Sequence, residues 1–220
     1  MELTLPTSGQ TVQPGKIICI GRNYAKHAAE MQSDVPQEPM IFLKPSTALV
    51  GHGGRVLIPR KSSDVHHEVE LVVIIGRGGK DITAERALDH VDGYAVGLDM
   101  TARDIQAEAK KKGHPWTVAK GFDTFAPLGE PVPAREVNNP QGLDITLKVN
   151  GEVRQAGNTE DMIFPVAHLV AYCSQVFTLM PGDLIYTGTP EGVGPVKEGD
   201  VLEATISGLP PLRVRVKTES

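Results

Sequence analysis

The chain is poor in cysteine, in aromatic residues and in long apolar runs. Only two of its 220 residues are cysteines, Cys19 and Cys173, and they lie far apart outside any Cys-x-x-Cys pattern. Each stands in an apolar stretch, which predicts two buried, inert thiols and is typical of a cytoplasmic protein. No apolar run reaches the roughly 18 residues that a membrane-spanning helix needs. We therefore expect no membrane span.

Positive charge is also scarce. Lysine and arginine number 22 against 27 acidic residues, and the longest basic block is Lys110–Lys112. A net charge of -5 without a basic patch disfavours nucleic-acid binding. Residues 1–14 contain neither a basic stretch nor an apolar stretch of the kind found in a signal peptide. The chain is thus expected to be cytoplasmic.

The chain contains 23 glycines and 17 prolines spread along its length, which predicts many short strands and helices joined by turns. Asn150-Gly151 between two strand-like runs is a type I′ hairpin signal. The pattern predicts a β-rich α+β fold in a single domain over 1–220, with 1–15 as a short N-terminal extension. Predicted strands are Ile17–Ile20, Met40–Leu43, Val56–Ile58, Val69–Ile75, Tyr94–Asp99, Ile145–Val149, Glu152–Gln155, Asp183–Thr187, Val201–Ile206 and Leu212–Lys217. Predicted helices are Asn23–Met31, Thr83–Asp89, Thr101–Lys112 and Ile163–Phe177.

A pair of glutamates stands at the entrance to the strongest predicted strand. Glu68 and Glu70 are two residues apart, so on a strand their side chains point to the same face, about 7 Å apart. Two buried carboxylates at that distance repel each other, and a divalent cation such as Mg²⁺, Mn²⁺ or Ca²⁺ would relieve the repulsion. The alternative is an exposed edge strand with solvated carboxylates.

Asp99 is a candidate for a third oxygen ligand. It ends the apolar run Tyr94–Leu98 and precedes the predicted Thr101 helix. It could equally serve as the N-cap of that helix, since aspartate is a favoured capping residue.

His27 and Glu30 have the i, i+3 spacing that makes side chains neighbours on a helix. A carboxylate beside a histidine can fix the tautomer of the ring and raise its basicity, as in a general base. An ordinary surface pair is the alternative. The polar segment 32–39 that follows could act as a lid over a ligand.

Lys120 precedes a glycine in a predicted turn and could face a carboxylate or a developing enolate, or could be a solvated loop lysine. The glycine-rich stretch 187–195 could bring N–H and hydroxyl groups to a ligand or could simply connect two strands. It is not a phosphate-binding P-loop, because no Gly-Lys-Ser/Thr follows.

Taken in order, these motifs resemble the fumarylacetoacetate hydrolase family over nearly the whole chain. The resemblance is carried by Gly21-Arg22-Asn23-Tyr24-Ala25-x-His27-x-x-Glu30, Phe42-Leu43-Lys44-Pro45-Ser46, His67-Glu68-x-Glu70-Leu71, Leu98-Asp99-Met100-Thr101-Ala102-Arg103-Asp104, Trp116-Thr117-x-Ala119-Lys120 and Thr187-Gly188-Thr189-Pro190-x-Gly192-Val193-Gly194. Within the family the chain is most similar to the short acylpyruvase and oxaloacetate decarboxylase members.

The resemblance implies a mixed β-sandwich or β-roll, usually a homodimer, with one Mg²⁺ per subunit. It implies metal ligation by Glu68, Glu70 and Asp99. It assigns catalytic roles to His27, Glu30 and Lys120, and contacts with the 2-oxoacid substrate to Arg22, Gln106 and Thr189.

The expected activity is Mg²⁺-dependent cleavage of a C–C bond in a small 2-oxoacid through an enolate, as an acylpyruvate hydrolase, an oxaloacetate decarboxylase or both. Isomerisation or decarboxylation of unsaturated dicarboxylic 2-oxoacids and tautomerisation of oxaloacetate are alternatives, since they pass through similar enol species. A non-catalytic module that binds a metal or a small molecule is a further alternative.

Overall fold

A computed structural model describes residues 1–31 and 34–219 of the chain. Four α-helices are present in these residues: α1 (Ala25–Glu30), α2 (Arg103–Lys112), α3 (Thr117–Lys120) and α4 (Val166–Val176). The strands of the same residues are β1 (Leu3–Thr4), β2 (Thr11–Val12), β3 (Ile17–Gly21), β4 (Met40–Lys44), β5 (Leu49–Gly51), β6 (Arg55–Ile58), β7 (Val65–His67), β8 (Val69–Ile75), β9 (Val91–Leu98), β10 (Thr101–Ala102), β11 (Ala126–Leu128), β12 (Val132–Pro133), β13 (Asp144–Val149), β14 (Glu152–Asn158), β15 (Leu184–Tyr186), β16 (Gly194–Pro195), β17 (Val201–Ile206) and β18 (Leu212–Thr218). Strands dominate, so the predicted β-rich α+β class is confirmed.

The strands form two main sheets. The larger has the order β4-β3-β15-β8-β9-β11-β5, with β12 paired to β9, and the smaller has the order β14-β13-β17-β18-β6. A three-stranded sheet, β10-β7-β16, and the pair β1-β2 complete the set found in the described residues. Pairs such as β15 with β3 are parallel whereas β8 and β9 are antiparallel, so the large sheet is mixed.

Strand β8 is the centre of the fold because both of its faces are buried. Leu71 and Val73 belong to the main core, which also contains Leu147 and Ala204 of the smaller sheet. On the opposite face, Val72 belongs to a second apolar cluster, which Leu3 and Leu5 of the N-terminal segment also join. This double burial explains why the sequence of β8 is an unbroken apolar run. By the alternation of a strand, Glu70 shares a face with Val72.

The hairpin between β13 and β14 turns at the predicted Asn150-Gly151 pair, whose φ angles of 53° and 85° are both positive, as a type I′ turn requires. The predicted helix over 83–89 is instead a 3₁₀ helix at Ala84–His90. The predicted helix over 163–177 begins later, at Val166, because Pro165 is extended and occupies its N-cap.

Helix α2 begins at Arg103 rather than at Thr101, because Thr101 pairs with His66 of β7 in the three-stranded sheet. The N-cap of α2 is Ala102, with no side-chain hydrogen bond. Asp99 therefore does not cap this helix. No helix of residues 1–31 and 34–219 is long and apolar enough to cross a membrane.

Candidate active site

Three buried carboxylates meet where β8 and β9 lie side by side. Glu68 precedes β8 and Asp99 follows β9, and because Val69 pairs with Leu98 across these antiparallel strands, the two acids are neighbours. The backbone N–H of Asp99 donates to the carbonyl oxygen of Glu68 at 2.8 Å. Together with Glu70 they place carboxylate oxygens within 4.8 Å of one another, and none of the three residues is more than 5% exposed. The exposed-edge alternative for the glutamates is thus wrong.

Three basic side chains surround this cluster. Lys120 Nζ lies 2.9 Å from Glu68 Oε2 and 2.7 Å from Asp99 Oδ2. Lys44 Nζ lies 2.7 Å from Asp99 Oδ1, and Arg103 donates to Glu68 Oε1. Both lysines are buried, and a lysine is almost never fully buried unless it is paired with a group of opposite charge. Lys120 is therefore not a solvated loop residue.

The two glutamates differ in their electrostatic surroundings. Burial by itself would raise the pKa of Glu68, but the positive charges of Lys120 and Arg103, with a smaller effect of His27, together outweigh it and hold the pKa well below its usual range. Burial raises the pKa of Glu70 well above its usual range, and the negative charges of Asp99 and Glu68 add to the rise. The N–H of Gly188 donates to Glu70 Oε2 at 2.8 Å and opposes the rise only in part. Nearby cations therefore compensate the negative charge of Glu70 less well than that of Glu68.

Lys120 remains a cation at this position. Burial favours its neutral form, but the carboxylates of Asp99 and Glu68 outweigh that effect and raise the pKa of Lys120. Its ammonium group can therefore stabilise negative charge but is poorly suited to accept a proton.

The cluster fits a divalent metal ion. All three donors are carboxylates, which suit hard cations such as Mg²⁺, Mn²⁺ and Ca²⁺ better than Zn²⁺. A cation beside Glu70 would supply the positive charge that Lys120 provides there only weakly, because Lys120 contacts Glu68 and Asp99 instead.

His27 and Glu30 lie next to each other on α1. His27 Nδ1 is 3.3 Å from Glu30 Oε2, and His27 is 6% exposed. The same carboxylate accepts from the backbone N–H of Gly192, at 3.1 Å to Oε1 and 3.2 Å to Oε2. Glu30 thus connects α1 to the glycine-rich loop that follows β15. Gln32 and Ser33, with which the predicted lid segment 32–39 begins, lie outside the described residues.

Thr189 is held in that loop by a hydrogen-bond network through Gln155. Gln155 Nε2 donates to Thr189 Oγ1 at 2.8 Å, and Thr189 Oγ1 donates to the carbonyl oxygen of Val69 at 2.7 Å. The other amide atom, Gln155 Oε1, lies 3.0 Å from the N–H of Val69 and 3.1 Å from His67 Nδ1. Because Gln155 is buried and all its hydrogen-bonding groups are engaged, it holds the loop against the start of β8.

One cavity is lined by eight of the nine side chains predicted for the site. The ninth, Glu30, has its carboxylate 3.3 Å from His27 Nδ1. The walls of the cavity are formed by Ile20, Gly21, Arg22, His27, Met31, Phe42, Glu68, Glu70, Asp99, Arg103, Gln106, Lys110, Trp116, Lys120 and Thr189. The space that remains is about 30 Å³, enough for a water molecule or an ion but not for a four-carbon acid. Entry of a substrate therefore requires the surrounding side chains or α1 to move.

Sequence reasoning missed the roles of Lys44, Arg103 and Gln155. Lys44 and Arg103 were visible in the quoted motifs, and a lysine that ends an apolar strand is a signal for a buried charge. Gln155 carried no signal, because its partners are 34 to 88 residues away in sequence.

Residues 16–217 match the family described as fumarylacetoacetate (FAA) hydrolase C-terminal. The chain belongs to the fumarylacetoacetate hydrolase family. The resemblance drawn from the motifs is thereby confirmed, and so is the expected β-rich fold.

Relatives of this family cover almost the full chain. Over 217 residues it is 52% identical to the mitochondrial oxaloacetate tautomerase FAHD1 of Mus musculus, covering 99% of this chain and 98% of that protein. It is 49% identical over 195 residues to the mitochondrial oxaloacetate decarboxylase of Dictyostelium discoideum, covering 88% of this chain and 89% of that protein. The crystal structure of fumarylpyruvate hydrolase from Pseudomonas aeruginosa in complex with Mn²⁺ and pyruvate has a TM-score of 0.94 and 45% identity, covering 100% of this chain and 96% of that chain.

Proposed function

We propose that this protein is a metal-dependent enzyme that cleaves a C–C bond in a small 2-oxoacid through an enolate, with oxaloacetate or an acylpyruvate as substrate. One observation carries the proposal. Three buried carboxylates within 4.8 Å of one another share a cavity with His27, which is paired to Glu30. A metal site beside a candidate base is more than simple binding requires, which argues against a non-catalytic module.

Glu68, Glu70 and Asp99 would hold the metal, with Mg²⁺ as the preferred ion and Mn²⁺ or Ca²⁺ as substitutes. When bound, the ion supplies Lewis-acid polarisation of the keto group of the substrate. The relative from Pseudomonas aeruginosa, solved with Mn²⁺ and pyruvate, supports both the type of ion and the type of ligand.

The remaining side chains of the cavity bind and orient the 2-oxoacid. Lys120 presents a buried ammonium group that stabilises the negative charge developing on the enolate oxygen. Arg22 and Gln106 offer hydrogen-bond donors to the bound 2-oxoacid, and Thr189 offers an oxygen whose position is set by Gln155.

His27 is the proposed base for hydrolysis. With its Nδ1–H donated to Glu30, Nε2 carries the lone pair and takes a proton from water. The resulting hydroxide adds to the distal carbonyl of an acylpyruvate. The C–C bond then breaks, leaving a carboxylic acid and the enolate of pyruvate, which takes up a proton.

Decarboxylation of oxaloacetate leads to the same enolate without a water molecule. The bond between C3 and the C4 carboxylate breaks, CO₂ leaves, and the electron pair forms the enolate of pyruvate. This step requires only that the keto group and the departing carboxylate are correctly oriented in the cavity. His27 is therefore less important for decarboxylation than for hydrolysis.

Tautomerisation of oxaloacetate is the second candidate. It needs a group that removes a proton from C3 and a donor near the keto oxygen, and His27 and Lys120 line one cavity as that requires. The relative from Mus musculus, an oxaloacetate tautomerase 52% identical to this chain, favours it. Isomerisation of unsaturated dicarboxylic 2-oxoacids remains a further alternative.

A panel of substrates tests the proposal. Acetylpyruvate, fumarylpyruvate, oxaloacetate and a 2-hydroxydienedioate are each incubated with Mg²⁺, with Mn²⁺ and with EDTA. Pyruvate release reports cleavage, and loss of the ultraviolet absorbance of enol-oxaloacetate without pyruvate release reports tautomerisation. We expect turnover that EDTA abolishes and added metal restores. Turnover of none of these acids, or turnover that survives complete metal removal, would contradict the proposal.

A homodimer and a cytoplasmic location remain predictions. Sedimentation at micromolar concentration tests the first. The second needs localisation in cells, since relatives named as mitochondrial are about half identical to this chain.

A further inference from the structure

Helix α2 presents a row of polar side chains to the cavity. Arg103, Gln106 and Lys110 are spaced by three and four residues, so they lie on one face of the helix, and all three line the cavity. Gln106 is 3% exposed, whereas Lys110 is an exposed residue at the other end of the row. The row thus runs from the carboxylate cluster outward to the mouth of the cavity.

The charges of the inner part of the cavity balance without a ligand. Three carboxylates, Glu68, Glu70 and Asp99, are matched in number by three cations, Lys120, Lys44 and Arg103, which form ion pairs with Glu68 and Asp99 but not with Glu70. A bound divalent ion adds two positive charges. One carboxylate of a 2-oxoacid removes only one of them.

Two further cations stand at the mouth. Arg22 is half-buried and Lys110 is exposed, and both line the cavity. Within the described ranges 1–31 and 34–219, neither side chain has a carboxylate within ion-pair distance. Partial burial is the largest effect that lowers the pKa of Lys110, and the positive charge of the nearby Arg22 is the second largest. Among the described residues, the two cations at the mouth therefore have no ion-pair partner of opposite charge.

The ammonium group of Lys110 also has a defined position. Its Nζ lies 5.4 Å from the centroid of the Trp116 ring, within cation–π range, and Trp116 lines the same cavity. A lysine that lies against an aromatic ring on the cavity wall, and that forms no ion pair in the part of the chain that the structure describes, is arranged to bind an anion that arrives with the substrate.

We infer that Lys110, together with Arg22, binds the distal carboxylate of the substrate and makes the enzyme selective for dicarboxylic 2-oxoacids over those with an apolar distal end. The inference rests on the proposed function, because it assumes that the first carboxylate and the keto group face the metal site. It assigns Lys110 as a specificity-determining residue with no direct part in bond cleavage.

Binding of two unreactive 2-oxoacids of equal length tests the inference. 2-Oxoglutarate ends in a carboxylate and is not a β-keto acid, so it does not lose CO₂ as oxaloacetate does, whereas 2-oxopentanoate ends in a methyl group. Calorimetry with the Mn²⁺-loaded protein compares their Kd values. We expect wild type to prefer 2-oxoglutarate, and Lys110→Met to weaken 2-oxoglutarate by about tenfold, as for loss of one charge-assisted hydrogen bond, with 2-oxopentanoate unchanged.

Two variants control for general effects. Lys111→Met removes the same charge from the neighbouring position of α2, outside the cavity wall, and should keep the preference. Lys110→Arg keeps the charge and should also keep the preference. The inference is overturned if wild type shows no preference for 2-oxoglutarate, whether or not either acid binds. It is also overturned if Lys110→Met weakens both acids equally, or if Lys111→Met has the same effect.

The result is distinguishable from failure of the proposed function. If no 2-oxoacid is turned over but 2-oxoglutarate still depends on Lys110, the enzymatic proposal fails and this assignment stands. If oxaloacetate is turned over with a KM that Lys110→Met leaves unchanged, this assignment fails and the enzymatic proposal stands.

Discussion

The floor and the lid of the cavity are built in opposite ways. Four charged side chains of the floor, Glu68, Asp99, Lys44 and Lys120, are each at most 5% exposed and are joined by ion pairs of 2.7 to 2.9 Å. On the opposite wall, helix α1, which carries His27 and is called the lid helix from here on, is six residues long and has no side-chain cap. Buried ion pairs are costly to break singly, so the floor is rigid, whereas we expect a short helix without a side-chain cap to open more readily than the floor.

This difference suits a site that must be both preorganised and accessible. A metal ion needs ligands held at fixed distances, which the floor provides. A substrate larger than the 30 Å³ of remaining space needs a wall that moves, and α1 is joined to the glycine-rich loop by the hydrogen bond of Gly192 to Glu30 and by the exposed ion pair of Lys26 with Glu191. Substitutions in the floor should therefore act on stability and metal binding, while substitutions in the lid helix should act on rate.

The largest effect is expected for Asp99→Asn. This change leaves two buried lysines, Lys44 and Lys120, without their shared carboxylate. Breaking one partner of a buried ion pair costs about 3–5 kcal/mol, so the free energy of unfolding in urea without metal should fall by that amount. Glu136→Gln, at an exposed pair with Arg135, is the control and should be near neutral. A loss below about 1 kcal/mol would show that the floor is not held by its charges.

His27→Ala should slow hydrolysis of an acylpyruvate by about 10²-fold or more, the usual contribution of a positioned base. Decarboxylation of oxaloacetate should fall far less, since it needs no activated water. Comparison of kcat for both reactions, with urea unfolding as a control for folding, separates the two regions. Full hydrolytic activity in this variant would remove His27 from its proposed role.

Glu70→Gln should act in the opposite direction to Asp99→Asn on the metal-free protein. Burial and two neighbouring carboxylates disfavour the charge of Glu70, so its removal should stabilise the metal-free fold at pH 8 by on the order of 1–3 kcal/mol. The same variant should lose the increase in Tm that Mn²⁺ produces. Destabilisation at pH 8 without metal would mean that Glu70 is better compensated than its surroundings indicate.

The effect of pH follows from the same raised pKa. Because the pKa of Glu70 is higher in the folded than in the unfolded chain, protonation favours the metal-free fold; this contribution is complete below the usual value of 4.5 and is lost as the pH rises through the raised pKa. A metal ion must displace that proton. Stabilisation by Mn²⁺, measured as the shift in Tm, should therefore be small at pH 5 and increase toward pH 8, and a shift independent of pH would count against Glu70 as a ligand.

The smallest effect is expected for Lys26→Ala in the lid. Lys26 and Glu191 are 73% and 40% exposed and lie 3.7 Å apart, so their ion pair should contribute less than about 0.5 kcal/mol. Thermal unfolding and kcat for oxaloacetate should both stay close to wild type. A marked increase in KM would instead show that this contact helps to close the lid.

Much of the architecture was predictable because it depends on local patterns. The apolar run of β8, the Asn150-Gly151 turn and the alternation in β17 and β18 reflect backbone preferences that act over a few residues. Boundaries were less predictable where a distant partner intervened. Thr101 would suit the start of a helix, but it pairs with His66 in a sheet.

The sequence by itself determined the chemical inventory of this protein: two glutamates at the start of a buried strand, a histidine and a glutamate on one helical turn, and motifs that identify the family. Only the tertiary structure decided how these groups act on one another. The pairing of β8 with β9 brings Asp99 to Glu68, and the folding of α2 and α3 over the sheet surrounds both with cations. The reason is physical, since side-chain alternation is a local property, whereas the balance of buried charge depends on residues far apart in sequence.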